Sequence, residues 1–220
     1  MIRVLTDRGV RQLDKGLFVT FEGGEGAGKT TLIDELAKTL RCQGRDVLTT
    51  REPGGIPIAE QIRGILLDRN HTAMDPRTEA LLYAAARRQH LAERVIPALA
   101  RGAIVICDRF IDSSLAYQGY ARGLGIDEIR AVNAFAIGDH MPALTFWLDI
   151  SPEVGLARVH AGDGREVNRL DLEGFAFHEA VREGYRQLHE SDPGRIVRID
   201  AEQAPESVLN DVLSILNARL

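Results

Sequence analysis

The chain has 220 residues, of which 45% are hydrophobic and 27% charged, and its formal net charge is −5 at pH 7. That length and composition suit a soluble α/β unit with a full core, and the acidic balance argues against a broad nucleic-acid footprint. No apolar run approaches a membrane span, and the two cysteines, Cys42 and Cys107, match neither a metal-ligand spacing nor a disulfide framework. A reducing, cytoplasmic setting is therefore expected, with no membrane or nucleic-acid partner. The six histidines form no HxxxH or HExxH pattern.

Residues 1–16 read as a polar N-terminal extension without the apolar core of a secretory signal. From there strand and helix signals alternate. GLFVTF (16–21) is a short apolar run ending in glycines, a buried strand. Residues 29–43 carry Leu32, Leu36 and Leu40 at helical spacing and stop at Gly44. DVLTT (46–50) is the second strand, followed by the turn-rich REPGG and a helix over Ile58–Leu67. Asp75 and Pro76 offer an N-cap and a first-turn proline for a long helix toward Arg101, with Pro97 expected to interrupt its end.

AIVICD (103–108) reads as the third strand, with helices over Asp112–Arg122 and Asp127–Gly138 after it. LTFWLDI (144–150) is the fourth strand and IVRID (196–200) the fifth; Ser151–Pro152 and Pro205 open the helices that follow them. This βα alternation predicts a parallel sheet covered by helices on both faces, with ligands outside the carboxyl ends of its strands. No internal repeat or linker divides residues 17–220, so a single domain is expected. HAGDGREVNRLD (160–171), polar and glycine-bearing, reads as a cover segment, or lid.

GGEGAGKT (23–30) fits G-x-x-x-x-G-K-[ST] between a strand and a helix. Its backbone N–H groups, from Gly23, Gly24, Glu25, Gly26, Ala27 and Gly28 onward to Thr31, would converge on phosphates. Lys29 would reach the β- and γ-phosphates and Thr30 would hold Mg²⁺. The motif alone does not name a reaction, but no guanine-reading [NT]KxD is present. Asp108, ending the third strand, stands where a carboxylate would support Mg²⁺, and Arg109 follows it. Arg51, Arg87 and Arg109, each an ordinary surface charge taken singly, together make an anion site for a second phosphorylated molecule. Tyr83 lies one helical turn before Arg87, and SSLAYQG (113–119) adds hydroxyls, a ring and an amide, all suited to a planar base.

FEGGEGAGKTTL, TREPGG, LLYAAARRQH, ICDRFIDSSLAYQG, FWLDISPEVGLAR and FHEAVREGY occur in that order, and with them the chain from Gly16 onward resembles the thymidylate kinases. The resemblance implies a P-loop NTPase-type three-layer fold with a five-stranded parallel sheet in the order 2-3-1-4-5, a homodimer, cytoplasmic nucleotide synthesis, and transfer of the ATP γ-phosphate to dTMP. By position, Arg51 and Arg109 would hold the dTMP phosphate, Tyr83 would stack on thymine, and Arg87 and Ser114 would meet the base edge. Tyr117 and Gln118 would border the deoxyribose, and Arg158 would lie against adenine. The loop acid, Glu25, would face the acceptor's 3′-hydroxyl rather than the triphosphate, since a carboxylate can only accept; Glu22 is a neighbour of the same site.

Relatives that carry an arginine after the loop acid differ here, where Gly26 stands. The catalytic cation is then expected from the lid, from Arg165 or Arg169, beside Lys29 and Arg109. The lid reads Asn168-Arg169-Leu170-Asp171 where the family usually has Asp-Arg-[Ile/Leu]-Glu, which leaves open which arginine acts. Two other readings stay in view: a kinase for a different pyrimidine nucleoside monophosphate, and a non-catalytic nucleotide-dependent switch.

Overall fold

The structure, a computed structural model, describes residues 16–161 and 169–219. The N-terminal extension, apart from Gly16, and the lid residues Arg165 and Asn168 lie outside the described residues. Five strands, β1 (Leu17–Glu22), β2 (Val47–Arg51), β3 (Ile104–Asp108), β4 (Leu144–Asp149) and β5 (Ile196–Asp200), form one sheet in the order β2-β3-β1-β4-β5. All four pairings are parallel.

Alternation along the strands builds a core on each face. Phe18, Val105, Cys107 and Trp147 point to one side, while Val19, Phe21, Ile104, Ile106 and Phe146 point to the other. The second face packs on Leu32, Leu36 and Leu40 of α1 (Lys29–Cys42) and on Val208, Val212 and Leu216 of α9 (Pro205–Asn217). Burial on both faces explains why the strands read as continuous apolar runs. Between these elements run α2 (Pro57–Leu67), α3 (Pro76–His90), α4 (Ile96–Ala100), α5 (Ile111–Ser114), α6 (Ile126–Ile137), α7 (Pro152–Ala161) and α8 (Phe175–Ser191).

Asp75 caps α3 as expected: its carboxylate accepts from the amides of Arg77 and Thr78, each at 3.0 Å, with Pro76 in the first turn. Pro97 has no N–H to give the carbonyl of Glu93, and the helix answers by widening. Leu91–Val95 is π-helical, with the amide of Ile96 reaching Leu91, before α4 resumes. A second π-helical stretch, Leu115–Ala121, continues α5 where one α-helix over Asp112–Arg122 was expected. Leu170–Leu172 forms a 3₁₀ turn, and α8 begins after Gly174.

The carboxyl ends of β1, β2 and β3 lie side by side, with Arg51 opposite Asp108 and Phe21 opposite Asp108 in register. The loops that follow them carry GGEGAGKT, EPGG and RF, so a parallel sheet delivers all three motifs to one edge.

Candidate active site

The loop between β1 and α1 turns on glycines that only glycine can supply. Gly26 has φ +71° and Gly28 has φ +82°. They differ in surroundings: a Cβ on Gly28 would meet nothing within 4 Å, whereas one on Gly26 would sit 2.1 Å from the carbonyl oxygen of Gly155 in α7. Gly155 answers in kind, since its own Cβ would fall 2.4 Å from the carbonyl oxygen of Glu25. The loop and the helix leading to the lid thus touch backbone to backbone. A side chain at position 26 would have to displace this backbone contact, a physical reason for the departure at that position.

Lys29, the loop lysine, donates to the carbonyls of Gly23 (3.1 Å) and Gly24 (2.9 Å). Its pKa is lowered to about 8, first by burial and then by the charge of Arg109. Beside it the Thr30 hydroxyl donates to Asp108 at 3.1 Å. A hydroxyl and a carboxylate brought together at the end of β3 are the hard oxygen donors that Mg²⁺ takes, so these residues fit that ion.

Arg109 has φ +67°, the left-handed region, and is the non-glycine residue there among those described. Its amide still extends the β1 ladder to Phe21 (2.9 Å), while its side chain turns back over the loop. The guanidinium donates to the Gly23 carbonyl (3.0 Å), Ser113 (3.3 Å), Tyr185 (3.4 Å) and the Glu25 carboxylate (2.7 Å), and lies over the Tyr117 ring. Glu25 also accepts from the Tyr117 hydroxyl at 3.3 Å. The loop acid is therefore turned to Arg109 and Tyr117.

Beneath Arg109 lies a buried support that the sequence reading touched only through Glu22. The Glu22 carboxylate accepts from the Phe110 amide (2.7 Å), the Ser113 hydroxyl (2.5 Å) and the Tyr185 hydroxyl (3.0 Å). Tyr185 and Asp112 went unassigned. Tyr185 closes the FHEAVREGY stretch and, with His178, Val181 and Leu188, forms a buried stripe on α8, next to Gly184, whose Cβ would press on Ala116 at 3.1 Å.

On the far side, Tyr83 is buried on α3 with its hydroxyl pushed up to about 12, by burial first and Glu79 second. Arg87 is almost wholly enclosed. Its Nε donates to Glu52 (2.8 Å), Nη1 to Ser114 (3.1 Å) and Asn133, and Nη2 to the Phe110 carbonyl (3.0 Å). Glu52 in turn meets His90 at 2.8 Å. Arg51 is more open, held by the Pro53 carbonyl (3.0 Å) and Glu60 (2.8 Å). Gln118 donates to Glu79 at 2.7 Å.

Arg158, on α7, donates to the Ala201 carbonyl at 3.0 Å and lines the cavity near the loop. Arg169 is not at the loop: it donates to the Leu66 carbonyl (3.1 Å) and pairs with Glu79, on the α2–α3 wall. Its neighbour Leu170 is buried and lines the same cavity.

A cavity of about 470 Å³ runs continuously from Lys29, Thr31 and Arg158 to Tyr83, Ser114 and Gln118. Lys29, Arg51, Arg63, Arg87, Arg109 and Arg158 line it against Glu25, Glu52 and Asp108, a local cationic excess in an acidic chain. Gly23 and Gly24 contribute their carbonyls to Lys29 rather than lining this space.

A glycine loop, a loop lysine, a hydroxyl–carboxylate pair and a second anion-holding compartment in one cleft define the class of P-loop phosphotransferases acting on a small phosphorylated acceptor. A family profile described as thymidylate kinase matches residues 21–212. The chain is 60% identical to the thymidylate kinase of Bacillus velezensis over 205 residues, covering 93% of this chain and 97% of that one. It is 58% identical to that of Clostridium novyi over 204 residues, 93% and 100% of the two chains. The crystal structure of thymidylate kinase from Ehrlichia chaffeensis superposes with a TM-score of 0.74 at 33% identity, covering 92% of this chain and 99% of that one. The chain belongs to the thymidylate kinase family.

Two outcomes test this geometry. Gly26→Ala should lower turnover at least tenfold and cost about 1–3 kcal/mol of stability, because a backbone carbonyl must move to admit the methyl group. Gly28→Ala, strained but unobstructed, should cost about 1–2 kcal/mol. Thermal melts and ATP saturation curves of both variants compare them. The second concerns Glu22, pushed up to about 7 by burial first and Asp112 second. Its folded pKa exceeds the unfolded value of 4.5, so it contributes stability below that pH and loses it as pH rises through about 7. Between pH 5 and 8, urea unfolding of Glu22→Gln should lack a decline on the order of 2 kcal/mol that the parent chain shows.

Proposed function

We propose that the protein transfers the γ-phosphate of ATP to dTMP, giving dTDP and ADP, in a cleft that holds both nucleotides face to face. The observation that carries this is the single cavity with the phosphate loop at one end and a buried aromatic–arginine–amide wall at the other. The kinship with thymidylate kinases supports dTMP as the acceptor.

The residues divide by role. Loop amides and Lys29 hold the triphosphate, and Arg158 borders the adenine. Arg51 and Arg109 take the acceptor phosphate, Tyr83 stacks on the base, Arg87 and Ser114 meet its edge, and Tyr117 with Gln118 borders the sugar. Two polyanions in one cleft repel, and guanidinium groups between them lower that cost. Mg²⁺, held by Thr30 with Asp108 behind it, would neutralise charge on the β- and γ-phosphates.

In the transfer, an acceptor phosphate oxygen bonds to the γ-phosphorus while the bond from that phosphorus to the β–γ bridging oxygen breaks, and ADP leaves. The attacking oxygen is already ionised at neutral pH, so no general base is needed. Alignment and positive charge are what the chain's residues supply. Arg169, paired with Glu79 in this structure, ties the end of the lid to the acceptor wall. To contact phosphate it would have to leave Glu79, and Arg165 is the other lid arginine for that role.

Glu25 serves as counter-ion to Arg109 and as acceptor for the sugar 3′-hydroxyl. Its pairing with Arg109 keeps the carboxylate off the triphosphate and leaves it beside Tyr117. A soluble cytoplasmic enzyme acting as a homodimer completes the reading.

Coupled ADP release with dTMP, dUMP, UMP, dCMP and no acceptor tests it. Release should be fastest with dTMP and near background without an acceptor. A faster reaction with another monophosphate would name a different kinase, and ATP binding with no transfer to any of them would make the protein a switch. Glu25→Gln should lower kcat/KM for dTMP by at least about tenfold while the ATP KM changes little. Equal losses for both nucleotides would remove Glu25 from the acceptor side.

A further inference from the structure

We propose that His178 is a positioning residue for the glycine loop. From α8 its Nε2 holds one water molecule that bridges to the backbone of Gly24 and Glu25, outside the large cavity. The inference rests on the reading of that loop as the triphosphate holder under Proposed function, and adds the group that steadies it from behind.

His178 is 6% exposed, and its Nε2, shut off from solvent, has no hydrogen-bond partner among the described residues. Leaving a buried imidazole nitrogen unpaired is costly, so this one points to a polar partner from outside the chain. His178 lines a recess of about 20 Å³ that Gly24, Glu25 and Arg182 share, with Ile150 and Leu156 as apolar walls. About 10–15 Å³ is enough for one water, so the recess takes one molecule and little else. Water both donates and accepts. It therefore satisfies Nε2 in either tautomer and turns its remaining sites to the loop.

The position of His178 on its helix suits this task. Arg182 and Tyr185 lie one and two turns further along, so the three share a face of α8. Tyr185 donates to Glu22 at the end of β1 (3.0 Å), and Arg182 to Asp149 at the end of β4 (2.7 Å). A turn before them, His178 stands where both strands have ended, beside Gly24 and Ile150. The loop needs support there. At Gly26 it rests on Gly155, and a Cβ on Gly23 would fall 2.4 Å from the Leu148 carbonyl oxygen, whereas one on Gly24 would meet nothing within 4 Å. Packing thus holds the loop on either side of the Gly24–Glu25 peptide but not at Gly24 itself. The same peptide carries the Glu25 carboxylate to Arg109 at 2.7 Å.

Two variants and a high-resolution crystal structure of the parent chain test the bridge. His178→Phe keeps a ring without the nitrogen, and His178→Gln sets an amide near the place of Nε2. In His178→Phe, kcat/KM for ATP at saturating dTMP should fall about tenfold, the worth of one hydrogen bond. Its melting temperature should stay level or rise, because an unpaired buried polar group has gone. His178→Gln should bring kcat/KM back to within about threefold of the parent. The crystal structure should show an ordered water within hydrogen-bond reach of Nε2 and of a backbone group of Gly24 or Glu25. Parent activity in His178→Phe overturns the proposal, leaving a core histidine. Equal losses in both variants, or a melting temperature that falls along with activity, overturn it too, since packing alone would do that. If His178→Phe does not fold by circular dichroism, the water decides: its presence on both partners upholds the bridge and its absence overturns it. A parent chain inactive on dTMP would end the functional reading instead, and the same water would still decide the bridge.

Discussion

Arg109 is the residue on which the cleft turns. Its backbone is part of the sheet, since its amide bonds to Phe21, yet its φ of +67° reverses the side chain over the phosphate loop. A left-handed conformation at a long side chain costs roughly 1–3 kcal/mol and persists only where surrounding contacts fix it. Those contacts are Gly23, Glu25, Ser113 and Tyr185 on the guanidinium and the Tyr117 ring beneath it. One residue thereby joins the sheet edge, the loop and α8, and its charge lies between the two ends of the cavity.

That position explains the electrostatics around it. Burial alone would make Lys29 a poorer cation, and Arg109 worsens this, so both need negative charge that Glu25 and Asp108 supply only in part. Glu22, deeper still, is held by Phe110, Ser113 and Tyr185, the last two also touching Arg109. The buried carboxylate fixes the groups that fix the guanidinium.

Much of this was legible in the sequence, for identifiable reasons. Strands buried on both faces read as unbroken apolar runs, and glycines at Gly23 to Gly28 announce a loop that needs unusual φ. Asp75–Pro76 announces a helix start through local hydrogen bonding. What depended on distant residues was not legible. Glu79 looks like an ordinary first-turn helix acid until Gln118, Arg122 and Arg169 converge on it from two other segments. Arg87 looks like a cation available to a ligand, whereas Glu52, Ser114, Asn133 and Phe110 occupy most of its donors. The π-helical stretches were also hidden: Pro97 signals an interruption, but whether the chain kinks or widens is settled by the packing of Leu91 and Val95 into the core. Tyr185 stands in FHEAVREGY, but its bond to Glu22, 163 residues away, is not visible there.

The Gly26–Gly155 contact links the loop to the lid by a route that carries no charge. Two glycines let the backbones of the phosphate loop and α7 meet, so α7 cannot drift from the loop without losing that seat. The same helix carries Arg158 and leads into the lid, whose far end is tied by Arg169 to Glu79 and to the Leu66 carbonyl. The two described ends that flank the expected cover segment are thus anchored apart, the first by backbone contact with the glycine loop and the second by a salt bridge to α3.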